Sequence, residues 1–105
     1  MVADITLPMI KSFATEATRD LFNGRDTRAA RQALPRTLWR IARRKLDQVH
    51  VARRLGTLVL PPGNRLERLA GDRRDQHSIR INAQYRLCFR WEGEHAWDVE
   101  IVDYH

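Results

Sequence analysis

Apolar residues recur at three- and four-residue spacing through Leu38, Ile41, Ala42, Leu46 and Val49, with the aliphatic stem of Lys45 among them. That period predicts an amphipathic helix over residues 35–52. Pro35 suits its first turn, where a missing N–H costs nothing, and Gly56 ends the pattern. Arg36, Arg40, Arg43, Arg44 and Lys45 occupy much of the remaining circumference. Upstream, Thr15 can cap a shorter helix reaching about Phe22, with Asn23-Gly24 as its stop. Phe13, Ala17, Leu21 and Phe22 would face inward there. Between the two helices, residues 25–33 read as a polar, Arg-rich connection. Residues 9–13 are short and β-tolerant, a first strand.

Pro61-Pro62-Gly63-Asn64 breaks the chain, and beyond it the period changes from helical to two. Residues 65–69 alternate and residues 70–73 turn. Over residues 76–82, His77, Ile79 and Ile81 take one face while Ser78, Arg80 and Asn82 take the other. After a tight connection at 82–84, Tyr85, Leu87, Phe89 and Trp91 share a face, opposite Arg86, Cys88 and Arg90. Residues 92–95 turn again. A last strand over 97–104 places Trp97, Val99 and Ile101 on one side. Helices before a meander of strands predict an α+β domain. The second helix covers the apolar face of the sheet, and the opposite face carries Arg80 and Arg86 beside the end of the chain.

At 105 residues there is room for one domain and one core. Met9 can serve as an initiator, which makes residues 1–8 an extension and residues 9–105 the domain. A composition 43% apolar and 30% charged is that of a folded soluble chain. No apolar run approaches the ~20 residues needed to span a bilayer, and residues 1–8 lack the basic cluster of a signal peptide. Cys88 stands alone, so there is no internal disulfide, which fits a reducing cytoplasm. The net charge is +6, unevenly spread. Residues 25–54 hold ten basic side chains against Asp26 and Asp47, whereas residues 91–105 hold five carboxylates and no Lys or Arg. A basic body suits a polyphosphate partner; the same charges also suit a solvated helix face.

Two groups of residues carry candidate chemistry. Arg80 and Arg86 lie within strands, where arginine needs a solvated or paired face. Cross-strand ion pairs to Glu100 or Asp98 would satisfy them; alternatively, the two guanidinium forks grip a phosphate. Asp103, Tyr104 and His105 form the second group. An imidazole moves protons near neutral pH, a carboxylate can orient it, and a tyrosine can stack on a base. His50, His77 and His95 lack metal-ligand spacing, so neither a metal nor another cofactor is called for.

The second half of the chain carries an ordered series: Pro61-Pro62-Gly63-Asn64-Arg65-Leu66-Glu67, Leu69-Ala70-Gly71-Asp72-Arg73, then Gln76-His77-Ser78-Ile79-Arg80-Ile81-Asn82. Tyr85-Arg86-Leu87-Cys88-Phe89 and the closing Val99-Glu100-Ile101-Val102-Asp103-Tyr104-His105 complete it. The series resembles the HigB-type toxins of the RelE/ParE superfamily, and Met9-Ile10-Lys11-Ser12-Phe13 resembles their usual start. The resemblance implies a RelE-like α+β domain: two N-terminal helices on a twisted, mainly antiparallel sheet of four to five strands. It also implies a ribosome-dependent mRNA endonuclease of a type II toxin–antitoxin pair. The partner would be a helix-turn-helix antitoxin of the HigA type, with operator DNA contacted only through it.

By the same resemblance, Arg86 matches the family's phosphate-binding arginine, and Asp103, Tyr104 and His105 match its terminal active-site residues. Some members carry Leu-His-Pro-Leu-Lys-Gly where this chain has Leu66-Glu67-Arg68-Leu69-Ala70-Gly71. Glu67 then stands in for a catalytic His, and Arg68 supplies positive charge near the place of the missing Lys. Arg80, Arg68, Arg73, Arg43 and Arg44 are the expected RNA contacts. Two other outcomes stay open: a ParE-like gyrase inhibitor, and a module that binds RNA or antitoxin with weak catalysis.

Overall fold

A computed structural model describes residues 10–104; Met9 of the expected first strand, His105 and residues 1–8 lie outside the described residues. The helices come first. Helix α1, Glu16–Phe22, starts where the Thr15 hydroxyl accepts the Thr18 N–H at 3.2 Å. Its last turn is closed from outside, by Arg43 Nε donating to the Leu21 carbonyl at 3.1 Å. Residues expected to form a polar connection instead include a helix, α2, Arg28–Ala33. The Thr27 hydroxyl accepts the Ala30 N–H at 3.1 Å and donates to Asp20 Oδ2 at 2.8 Å, so one side chain caps α2 and ties it to α1. Ala30 and Leu34 are fully buried, which anchors a short helix that propensity alone would not sustain.

Helix α3, Trp39–Val51, comes after a 3-10 turn at Arg36–Leu38 and buries Trp39, Ala42, Leu46 and Val49. The Lys45 side chain is buried with them. The α layer therefore holds three helices where the pattern predicts two.

The sheet is antiparallel, in the order β1-β2-β3-β4. Its strands are Glu67–Arg68, Gln76–Arg80, Tyr85–Glu92 and His95–Asp103. Ile79, Leu87, Phe89 and Val99 leave no exposed surface on one face, and they pack with Leu21, Leu46 and Val49 of the helices. Each such side chain contributes about 1.5–3 kcal/mol of burial free energy, so this layer contact dominates the fold. The α+β architecture expected from the pattern is the one that forms.

Three local expectations change. The first strand is reduced to two parallel bridges, Ile10 to Ala96 and Phe13 to Val99. The 65–69 strand shrinks to Glu67–Arg68, because Arg65 adopts a left-handed backbone, φ +46°, and Gly71–Arg73 coils into a 3-10 turn. Most consequentially, β4 does not keep one side-chain parity. A register shift between Cys88 and Arg90 meets a left-handed Asp98, φ +54°. Trp97 therefore shares a face with Arg90, while Val99 and Ile101 point to the core. Such bulges bend a strand and re-aim the side chains beyond the bend. Here the bulge is stitched to the N-terminal segment. The Asp98 N–H donates to Ser12 Oγ at 2.8 Å, Ser12 Oγ donates to Asp98 Oδ1 at 3.2 Å, and the Val99 N–H donates to the Ser12 carbonyl at 3.1 Å.

Candidate functional site

The sheet face away from the helices is organised in cross-strand rows fixed by register. One row runs Glu67, Ser78, Cys88, Glu100; the next runs Arg80, Arg86, Val102. The bulge at Asp98 is what brings Glu100 and Val102 onto this face. Ser78 and Cys88 form a floor with no solvent exposure. A sheet face without a helix on it would leave them open, so side chains must cover them.

Arg73, Arg86 and Tyr104 surround that floor. Arg73, from the 3-10 turn before β2, donates from Nη1 to Gln76 Oε1 at 3.0 Å and to Glu100 Oε1 at 3.1 Å. Arg86 donates from Nε to Ser78 Oγ at 2.7 Å, with Glu67 Oε1 further off at 3.9 Å. Tyr104 is held through its backbone, whose N–H meets the Gln84 carbonyl at 2.6 Å, while 39% of the residue stays exposed. Arg73, Val102, Asp103 and Tyr104 line an open groove of about 410 Å3.

The titration behaviour places these groups together. Burial pushes the Cys88 thiol up to about 11; Arg73, Arg86 and a hydrogen bond from Tyr104 oppose the rise, and Glu100 adds to it. Burial also raises the Tyr104 phenol above its ordinary value, with Cys88 and Glu67 pushing the same way and Arg73 and Arg86 pulling back. Cys88 is therefore a buried, protonated filler and not a thiolate. Tyr104 is a neutral phenol that can donate a hydrogen bond or stack, set between two permanent cations.

The sequence-derived candidates separate into those this face gathers and those it does not. Glu67, Arg73, Arg86 and Tyr104 come together. Arg80 stands directly opposite Arg86, and its side chain has no hydrogen-bond or ion-pair partner among the described residues. The ion pairs weighed for Arg80 and Arg86 go elsewhere: Glu100 binds Arg73, and Asp98 binds Arg90 Nε at 2.8 Å. Asp103 pairs in register with Tyr85, so its strand position belongs to the helix-facing side, and it reaches the groove only as part of the rim. Its carboxylate accepts the Gln84 side-chain amide at 3.2 and 3.3 Å.

Arg68 is partnered with His77, on the face opposite Arg86, and donates to the Arg74 carbonyl at 3.4 Å. Arg43 and Arg44 belong to α3, in the layer on the far side of the sheet. Arg44 is exposed, whereas Arg43 is engaged at the end of α1. His105 lies outside the described residues. Sequence reasoning missed Ser78 and Gln76 as supports of the arginines, and it weighed Glu100 for Arg80 or Arg86 where the bond goes to Arg73. A small residue two places from Arg80 was the one available sign, since it leaves room for an overlying side chain.

Among the described residues, no helix is long and apolar enough to cross a membrane, and no three His, Cys, Asp or Glu side chains gather as metal ligands. A second cleft, of about 510 Å3, lies by the β3–β4 turn between Arg53, Arg54, Leu55, Trp91, Gly93 and Glu94. It shares no residue with the groove.

Comparison with known proteins bears on the family of the chain. The chain is 48% identical over 48 residues to the Toxin HigB-1 of Vibrio cholerae serotype O1, a stretch covering 46% of this chain and 50% of that protein. It is 37% identical over 60 residues to an uncharacterized protein of Haemophilus influenzae, covering 57% of this chain and 59% of that one. The matched stretches thus span about half the length of these curated relatives. The model of the HigB-like toxin family, RelE-like toxins of type II toxin–antitoxin systems, matches residues 11–105. The chain belongs to that family of toxins.

Proposed function

We propose that this toxin is a ribosome-dependent endoribonuclease that cleaves translated mRNA in the groove at Arg73 and Tyr104, beside Arg86. The observation that carries this reading is the convergence of two guanidinium groups and an exposed neutral phenol on a rigid, buried floor. A phosphodiester offers anionic oxygens to such cations, and the adjacent base offers a π-face to the phenol.

The proposed chemistry assigns a role to each of those groups. The ribose 2′-oxygen attacks the adjacent phosphorus, and the bond from phosphorus to the 5′-oxygen of the next nucleotide breaks. The products are a 2′,3′-cyclic phosphate and a 5′-hydroxyl. A base accepts the 2′-OH proton and an acid supplies one to the leaving oxygen. His105 and Glu67 are the proposed pair, with Asp103 orienting His105. Glu67 starts on the correct face, in the row of Ser78 and beside Arg86. Arg86, joined by Arg73 and Arg80, stabilises the charge that grows on the phosphoryl oxygens, a term worth about 2.7–4 kcal/mol per well-placed donor. The scheme uses only side chains. The ribosome contributes the mRNA geometry that brings the 2′-oxygen into line.

The exposed arginines of the α3 layer, Arg36, Arg40 and Arg44, suit phosphates of ribosomal RNA, so activity falls as salt is added. The partner in this reading is a HigA-type helix-turn-helix antitoxin, which alone contacts operator DNA, and the setting is the cytoplasm.

Controlled expression with mapping of mRNA 5′ ends tests the reading. New cleavage sites within translated frames are expected from the wild-type chain and not from Arg86→Ala or His105→Ala. Growth arrest by all three without new cleavage sites would sink it, and accompanying DNA damage would point to gyrase.

A further inference from the structure

We propose that Ser78 and the main-chain carbonyl of Arg65, fixed by a buried knot at Asn64, are positioning groups that hold the Arg86 guanidinium with one amino group presented to the phosphodiester. The catalytic consequence rests on the nuclease reading above. The geometry of the clamp does not.

Arg86 is unusually enclosed for a long cationic side chain, only 12% exposed. Its N–H donors divide unequally. Nε donates to Ser78 Oγ at 2.7 Å, and Nη2 donates to the Arg65 carbonyl at 2.6 Å and, more weakly, to the Ser78 carbonyl at 3.5 Å. Among the described residues nothing accepts from Nη1. Two of the three guanidinium nitrogens are thus fixed by the protein, and the third is left for a ligand. Arg80, directly across the β2–β3 pair, has no comparable anchor. The two arginines are therefore not equivalent: one is preorganised, and the other must be ordered when RNA arrives.

The Arg65 carbonyl reaches Arg86 because Arg65 is left-handed, with φ +46° and ψ 56°. For a residue with a Cβ that conformation is unfavourable and persists only where its surroundings impose it. Asn64, fully buried, imposes it. Its amide nitrogen reaches the Leu58 and Leu60 carbonyls, each at 3.1 Å, and Gln48 Oε1 at 3.0 Å. Its carbonyl oxygen accepts from the buried Lys45 ammonium. The Arg65 N–H closes the turn on the Pro62 carbonyl at 3.1 Å. A chain of contacts thus runs from the core side of α3, through Asn64 and Arg65, to the Arg86 guanidinium beside Ser78.

The role of each group is separable. Ser78→Ala removes the acceptor of Nε. Ser78→Thr keeps a hydroxyl there. Arg65→Gly removes the Arg65 side-chain charge but keeps the carbonyl that Arg86 meets, and glycine adopts φ +46° without strain. Single-turnover cleavage on programmed ribosomes gives the rate at saturation and the half-saturating ribosome concentration, with thermal unfolding as a control for folding. Ser78→Ala is expected to lower the saturating rate by about 10- to 100-fold, with half-saturation changed by less than about twofold. Ser78→Thr is expected to recover most of the loss, and Arg65→Gly to stay within about threefold of wild type. An unchanged saturating rate in Ser78→Ala overturns the proposal. So does an Arg65→Gly variant whose main defect is weaker ribosome binding, because the Arg65 side chain would then be the working group.

NMR of the Arg86 Nε–H keeps the clamp testable apart from cleavage. Its exchange with solvent should be slow in the wild-type chain and fast in Ser78→Ala. Equal exchange in the two refutes the clamp. If the wild-type chain cleaves nothing yet the Nε–H is protected, the nuclease reading fails and the clamp stands.

Discussion

Asp98 sits at the point where β4 turns over, and its charge can be removed without changing its shape. Asparagine tolerates the left-handed backbone about as well as aspartate does, so Asp98→Asn leaves φ +54° no worse accommodated. The Ser12 hydroxyl can still donate to the oxygen that remains. The change removes the charge-assisted bond from Arg90 Nε, 2.8 Å long. Such bonds contribute about 1.5–3 kcal/mol where they are well shielded. The Asp98 side chain is 46% exposed and Arg90 keeps Glu92 as a second carboxylate. Solvent screening then leaves about 1 kcal/mol.

The pH dependence identifies the cause. Arg90 first, and then Ser12, hold the Asp98 carboxyl below its ordinary range against the opposing effect of burial. A carboxyl depressed in the folded state stabilises it above the unfolded pKa of about 3.9, and that stability is lost as pH falls through the folded value. Urea unfolding monitored by tryptophan fluorescence should therefore show wild type ahead of Asp98→Asn by about 1 kcal/mol near neutral pH, with the gap closing in acid below about pH 4. Asp98→Ala should lose about 2–3 kcal/mol, since it also forfeits the Ser12 bond and forces a poorer left-handed residue. A gap between wild type and Asp98→Asn that does not change with pH refutes the ion-pair account. The absence of any gap at neutral pH refutes the claim that this pair adds to stability.

Other consequences can be checked on the same preparations. Arg86→Ala should reduce cleavage on ribosomes by about 10²–10³-fold, while urea unfolding shows a loss of only about 1–3 kcal/mol from stranding the Ser78 hydroxyl and the Arg65 carbonyl. Cys88, buried and with its thiol pushed up to about 11, should resist iodoacetamide in the native chain under mildly alkaline conditions and label quickly in urea. The tyrosinate absorbance lost in Tyr104→Phe should belong to a group that titrates above the ordinary phenol value, because burial raises it.

The sheet and the main helix are legible in the sequence because their periods are strong and their lengths sufficient. Leu38 to Val49 keeps one apolar stripe, and β2 and β3 alternate cleanly. Helix α2 is hidden because arginines crowd its stretch of chain and only Ala30 is buried within it; the Thr27 cap is its one local mark. The bulge is hidden for a different reason. Aspartate tolerates a left-handed backbone, so no glycine announces the change of parity at Asp98, and simple alternation assigns Trp97 to the wrong face.

The site divides along similar lines. Register in an antiparallel meander is set by short turns, which is why Arg80 and Arg86 can be placed side by side from sequence. Arg73 comes from a turn, and its position over Cys88 depends on Glu100 and Gln76, contacts no periodicity encodes. The left-handed Arg65 is equally invisible, since its conformation is imposed by Asn64 and not by its own side chain.

If the groove cuts RNA by attack of a 2′-hydroxyl, the ends of the fragments must show it. The most direct measurement incubates the purified chain with ribosomes programmed by a defined mRNA, then identifies the new ends chemically. The expected result is an upstream fragment ending in a 2′,3′-cyclic phosphate and a downstream fragment beginning with a 5′-hydroxyl. Both should be lost when a single 2′-deoxynucleotide is placed at the cleavage position. Fragments with a 5′-phosphate, or cleavage that survives the deoxy substitution, would contradict this mechanism.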